Sequence, residues 1–323
     1  MSSPPRHLLK DFSLSAIAAG FVTVLVGFAS SAVIVFQAAQ SLGASPEEIS
    51  SWMWALGLGM GLTCIGLSLR YRMPVVTAWS TPGAAMLIGS VAGLPLSDAI
   101  GAFLMSALLI AASGFSGFFE RMISRIPASL ASGMLAGVLL RFGIDAFAAM
   151  KTQLGMVLTM FAVYLLARRL LPRYAVILTL LVGIAFAAGL GLLRVDGLSL
   201  ELAKPVFTTP TFSLAAIVGI ALPLFIVTMA SQNVPGVAVI RASGYAIPIS
   251  PVVGWTGLVN LLLAPFGAFA LNLAAITAAI CMGREAHEDA ARRYVAAIAA
   301  GVFYVVVGLF GATVAALFAA FPK

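Results

Sequence analysis

Charge is what this chain has least of. Only 9% of its 323 residues are Asp, Glu, Lys or Arg, against about 25% in an ordinary soluble domain. Cysteine is almost as scarce. Cys64 and Cys281 both lie inside apolar runs, so no disulfide framework is expected. The two histidines, His7 and His287, lie far apart in polar gaps, and metal-ligand spacing is absent. No phosphate-cradling or dinucleotide-binding glycine motif is present. ATP-driven work, a bound metal, a cofactor and enzyme activity are therefore not expected.

Acidic residues are missing where a membrane proton relay usually keeps one. Asp11, Glu47, Glu48, Asp98, Glu120, Asp145, Asp196, Glu201, Glu285, Glu288 and Asp289 all fall at the ends of apolar runs or between them. Asp98 and Asp145 come nearest to the bilayer interior.

What is abundant is apolar surface. Hydrophobic residues make up 62% of the chain and mean hydropathy is +1.10, more than a water-soluble fold of this length could bury. Lipid must be the solvent for most of it. The net charge of +7 then reads as topological charge rather than as a nucleic-acid footprint, because Lys and Arg fall in the short gaps between apolar runs. The first apolar run, about 14–39, is too long for a signal peptide's apolar region and reads as a span.

A membrane-crossing helix needs about 20 largely apolar residues. Ordinary spans are predicted near 14–40, 51–69, 97–118, 128–143, 152–170, 174–193, 212–232, 250–265 and 294–319, with two interrupted segments at 73–92 and 266–283. That makes eleven crossings. With the N-terminus in the cytoplasm, thirteen basic residues fall inside (Arg6, Lys10, Arg70, Arg72, Arg121, Arg125, Arg168, Arg169, Arg173, Arg241, Arg284, Arg292, Arg293) and four outside (Lys151, Arg194, Lys204, Lys323). This is the expected positive-inside bias. Arg141, near a span end, is expected to snorkel to the interface.

The two interrupted segments carry most of the functional information. In MPVVTAWSTPGAAMLIGSVA (73–92), Val75 to Trp79 favour an extended chain and Pro74 and Pro82 disfavour helix. A half-helix should follow Pro82, with Ser80 or Thr81 as its cap. In PFGAFALNLAAITAAICMG (265–283), Phe269 to Leu273 should be extended, Asn272 should cap, and Ala274 to Cys281 should form a half-helix. As the third and tenth crossings they run in opposite senses, as an inverted repeat of seven spans requires. Interrupted segments at matching places are the best sequence pointer to a transport site. Extended backbone in a bilayer is tolerated only where it is buried in protein or lines a cavity. Half-helix N-termini offer N–H groups and partial positive charge to an anion.

Other candidates adjoin these segments. Ser231, Gln232 and Asn233 are polar in an otherwise apolar helix that Pro235 follows. Gly27, Ser30, Ser31, Ile34 and Gln37 make one stripe of the first span, with Gln37 the best donor on it. Gly57 and Gly61 read as a helix-packing pattern.

The stretches VLVGFASSAVIVFQAAQSLG (24–43), TAWSTPGAAML (77–87), SQNVPGVAVIRASGYAIPISP (231–251) and LLLAPFGAFALNLAAITAAICMGREAHEDAARRYVAAIAAGVFYVVVGLFG (261–311) resemble the BenE family of benzoate symporters. The resemblance implies an all-α polytopic fold, similar to that of uracil and sulfate permeases. That fold has fourteen spans in two inverted repeats of seven, divided into core and gate domains. Core would then occupy 1–126 and 212–323, with part of the gate and an external connector at 127–211. The chain would be C-terminally truncated, without the last three gate spans.

Phe269 stands where the family pattern has a histidine. The implied activity is proton-coupled uptake of benzoate or a similar aromatic carboxylate by alternating access in a bacterial inner membrane. Gln37, Ser80, Thr81, Gln232, Asn272 and Thr277 would hold the carboxylate and Phe28 and Phe269 the ring. Ser31, Gly83, Ser231 and Asn233 complete the expected site. Partners would be the small anion, protons and lipid, and a homodimer is the one assembly considered. The alternatives are a nucleobase or inorganic-anion permease on the same scaffold, or a truncated membrane protein that transports nothing.

Overall fold

The computed structural model describes residues 11–90, 94–123, 140, 144, 147–171, 175–191, 201–311 and 313. The segment 128–143, expected as the fifth crossing, lies outside them except for Leu140, as do Arg141 and Asp145.

The described chain is mostly helical: α1 (Leu14–Ser41), α2 (Pro46–Tyr71), β1 (Thr77–Ala78), α3 (Thr81–Ser90), α4 (Leu96–Phe115), α5 (Phe118–Ile123), α6 (Met150–Leu170), α7 (Ala175–Gly189), α8 (Leu214–Ala242), α9 (Ile249–Leu263), β2 (Asn272–Leu273), α10 (Ile276–Met282) and α11 (Tyr294–Leu309). Among the described residues, six helices are long and apolar enough to cross a bilayer, and α1, bent by 42° between Leu14–Phe28 and Ser30–Ser41, makes a seventh if the bent pair is one span. Ser30 and Ser31 both donate to the Gly27 carbonyl at that bend (3.2 and 3.0 Å), the kind of local competition that kinks helices.

Local chemistry accounts for several boundaries. Ser45 and Glu48 form a reciprocal capping box that starts α2. α8 runs ten residues past the expected end at 232, through both Pro223 and Pro235. A wide π turn precedes each proline, at Ile217–Ala221 and Met229–Asn233. Proline lacks an N–H and crowds the carbonyl four residues back, and the widened turn absorbs that misfit without ending the helix.

Small residues let the helices close up. A Cβ on Gly57 would lie 2.6 Å from Gly308 Cα, and one on Gly61 2.7 Å from the Gly301 oxygen. α2 and α11 therefore touch backbone to backbone, as the spacing in α2 predicts. α1 packs on α11 as well, α4 packs on α9, and α6 and α7 pack chiefly on each other. At one end of the bundle the buried Asp11 carboxylate accepts from Tyr294 Oη (2.7 Å) and faces Arg292 (3.5 Å) and Arg72 (3.9 Å). Arg72 also donates to Tyr294 Oη (2.7 Å). This network joins the start of α1 to the ends of α2 and α11.

Both interrupted segments are strand followed by short helix, and the two strands pair. β1 and β2 run antiparallel, Thr77 opposite Leu273 and Ala78 opposite Asn272, and Ala274 N–H donates to the Val76 carbonyl (2.9 Å).

Candidate functional site

Ser80 starts α3. Its Oγ accepts from Gly83 N–H (3.1 Å) and its carbonyl from Ala84 N–H (2.8 Å). Because Pro82 has no N–H and Ser80 fills that of Gly83, this helix start offers only the Thr81 amide. Ser80→Ala should lower stability by about 1 kcal/mol, read as an earlier thermal unfolding midpoint of the purified chain.

The second half-helix begins differently. Asn272 is not its cap, contrary to the sequence expectation. The strand continues to Leu273, two alanines follow, and α10 starts at Ile276 with no side-chain cap. Asn272 is fully buried instead. Its Nδ2 donates to the Ala270 carbonyl (2.9 Å) and its Oδ1 has no partner among the described residues. Ala270 carries a positive φ of 46° and Gly267 one of 97°, so the chain turns sharply into the strand. Only glycine fits at 267, where a Cβ would lie 1.8 Å from the Trp52 ring.

Between the two breaks lies a cleft with about 520 Å³ of empty space, its open mouth included. α1 contributes Val26, Gly27, Ser30 and Ser31, and the first break contributes Ala78, Trp79 and Thr81. The second break supplies Ala274 to Thr277, and Met60, Gln232 and Tyr304 complete the lining. None of these side chains is charged. Trp79 Nε1 donates to Ser31 Oγ (2.9 Å), fixing the indole against the Phe28 ring, which meets it edge-on at 4.8 Å. Thr23 Oγ1 donates to the Thr277 carbonyl (3.3 Å) and tethers α10 to α1.

Of the expected site residues, Ser31, Thr81, Gln232 and Thr277 line this cleft. Phe28 is buried behind Trp79, and Gly83 is buried against Leu224. Gln37 is exposed and lies beyond the bend in α1, off the stripe that carries Ser30 and Ser31. Ser231 is exposed and its hydroxyl donates to Val227 of its own helix. Asn233 is fully buried. Its Oδ1 accepts from Leu273 N–H (2.9 Å) and its Nδ2 contacts Met229 Sδ (3.1 Å), so it braces β2. Phe269 packs between Trp52 and Phe103 at 5.7 and 5.6 Å, away from the cleft lining. Asp98, a weak candidate for proton work, accepts from the Thr211 hydroxyl at the start of α4.

Trp79, Tyr304 and Met60 line the cleft without having been singled out from sequence. The available signal was the phenol of Tyr304 in an otherwise apolar helix, since a buried tyrosine hydroxyl usually needs a partner.

Long apolar helices packed through glycine, with an uncharged cleft where two interrupted segments meet, are the build of a membrane transporter. The sequence comparisons agree. The BenE family profile, described as benzoate membrane transport protein, matches residues 10–323, and the chain belongs to that family. It is 47% identical over 321 residues to the inner membrane protein YdcO of Escherichia coli (strain K12), covering 99% of this chain and 80% of that protein. It is 40% identical over 323 residues to the benzoate membrane transport protein of Acinetobacter baylyi, covering 100% and 82%.

Proposed function

We propose that this chain carries benzoate, or a close aromatic carboxylate, across a bacterial inner membrane together with protons, by alternating access. The observation that supports this most is the chemistry of the cleft. Ser30, Ser31, Thr81, Thr277 and Gln232 line a space whose other walls include Trp79, Tyr304, Met60 and Ile276. Such a lining suits a flat apolar ring bearing one acceptor-rich group. Neutral donors and a helix start can hold a carboxylate without a buried lysine. The relative from Acinetobacter baylyi is itself named for benzoate transport.

The same reading assigns the chain to a scaffold of two inverted repeats of seven, with eleven crossings in these residues and the N-terminus in the cytoplasm. Residues 1–126 and 212–323 would form the core, and 127–211 part of the gate. The close packing of α1, α2 and α11, against the separate pairing of α6 with α7, is in keeping with that division.

Uptake of labelled benzoate into proteoliposomes under an imposed pH gradient tests the proposal. Vesicles without the protein set the baseline, because the neutral acid crosses lipid unaided. Saturable uptake above that baseline, dependent on the gradient and resistant to uracil and sulfate, is the expected result. Uptake equal to the baseline, or competed by uracil or sulfate and not by unlabelled benzoate, overturns it.

A further inference from the structure

We infer that Tyr304 is a substrate-binding residue, its phenolic O–H donating to the carboxylate of the bound anion, and that Gly27 keeps the path to that hydroxyl open. The inference rests on the reading of the substrate given above and extends it to a residue on a different helix.

Tyr304 is 1% exposed and lines the cleft. Its hydroxyl makes no hydrogen bond among the described residues, yet it is not sealed off and keeps contact with the open space of the cleft. The other buried tyrosine of α11, Tyr294, has its hydroxyl satisfied on both sides by Asp11 and Arg72. The contrast singles out position 304 as a donor left free to meet whatever occupies the cleft.

The direction of the hydroxyl follows from its neighbours. A Cβ built on Gly27 would lie 3.1 Å from Tyr304 Oη and 3.8 Å from Thr277 Cγ2. The phenol and the Thr277 side chain therefore converge on the same small space above the α1 backbone, and glycine at 27 leaves that space empty. Thr277, at the start of α10, turns its methyl group toward that space and is itself part of the cleft lining. A phenolic donor at an uncharged cleft calls for an acceptor, and an ionised carboxylate is the strongest one available. Phe28 lies 6.0 Å from the Tyr304 ring and 4.8 Å from Trp79. The phenol is thus anchored in an aromatic cluster, with little freedom left to lose when the ligand binds.

Equilibrium binding of labelled benzoate to the full chain in lipid nanodiscs tests the assignment. Tyr304→Phe keeps the ring and removes only the donor, and should weaken benzoate binding about 10–100-fold, the range for a hydrogen bond to a charged group. The discriminating readout is selectivity for benzoate over nitrobenzene, a neutral molecule of nearly the same shape. That preference should shrink in Tyr304→Phe by the same factor as the affinity, which a purely structural role would not produce. Gly27→Ala, a substitution that favours helix, should also weaken binding by placing a methyl group against the hydroxyl.

Wild-type affinity and selectivity in Tyr304→Phe overturn the assignment while leaving the proposed substrate intact. If Tyr304→Phe fails to fold, Gly27→Ala decides, and wild-type affinity there overturns the assignment. Absence of saturable benzoate binding in the wild type removes the substrate reading and this inference with it.

Discussion

Asn233→Ala is expected to reduce benzoate uptake to the vesicle baseline and to lower the thermal midpoint of the chain. The side chain is fully buried, and its oxygen is the acceptor for Leu273 N–H at 2.9 Å. Alanine leaves that amide buried without an acceptor, which costs about 1–3 kcal/mol. The effect on transport should exceed the effect on stability, because Leu273 is half of a two-residue strand that pairs with Thr77 and leads into the cleft lining at Ala274. α8 presses on the same residue from behind, where a Cβ on Gly236 would lie 2.6 Å from Leu273 Cβ. With its brace gone, β2 keeps only its pairing with β1 and the contact of Leu271 N–H with Asn260 to hold its position. Asn233→Asp keeps the acceptor but places a charge in an apolar setting, and should fold less well than wild type. Proteoliposome uptake and a melting curve on the same preparation check both parts. Wild-type uptake in a stably folded Asn233→Ala protein would contradict the argument.

Arg293→Ala should produce the largest loss of stability, about 3–5 kcal/mol, from the removal of several charge-assisted hydrogen bonds. The guanidinium is 9% exposed and donates to three carbonyls: His287 at 2.7 Å, Met282 at 2.9 Å and Glu288 at 3.4 Å. Met282 ends α10, so the arginine both satisfies a terminal carbonyl and opposes the negative end of the helix dipole. It also ties down the turn that joins α10 to α11. Arg293→Lys should restore only part of the loss, because one ammonium cannot span three carbonyls arranged around a planar fork. Thermal unfolding in detergent measures the series. Equal midpoints for lysine and alanine would show that charge and reach at this position count for nothing.

The strand-then-helix build of the two interrupted segments was readable from sequence because its causes are local. Pro74, Pro82, Pro265 and Gly267 disfavour an unbroken helix through their own backbone geometry, and Ser80 before Pro82 is a cap signal that depends on neighbours in sequence alone. The second cap was misjudged because its position depended on where the strand would stop, and that is set by Val76, whose carbonyl takes the Ala274 amide from a distant part of the chain. The continuation of α8 through Pro235 depended on a widened turn that no residue type announces.

The site was partly readable for the same reason. Thr81 and Thr277 follow from the helix starts, and Ser31 from the stripe on α1. Gln37 belonged to that stripe only for a straight helix, and the bend near Ser30 and Ser31 removed it. Phe269 and Asn233 are polar or aromatic in the right neighbourhood, but which way each points is decided by partners on other helices: Trp52 and Phe103 for the first, Leu273 for the second. Tyr304 showed only as a phenol in an apolar helix, and which way that phenol faces is decided by the packing of α11 on α1.

The strand pairing has a mechanical consequence. The Val76 carbonyl, the two-residue ladder and the Asn233 brace rivet the two interrupted crossings and α8 into a single slab. Such a slab cannot hinge apart along the line where it is joined. Under the alternating access proposed above, the rearrangement that turns the cleft from one face of the membrane to the other would carry both segments as passengers on the same raft, with sliding confined to the seams against the remaining helices.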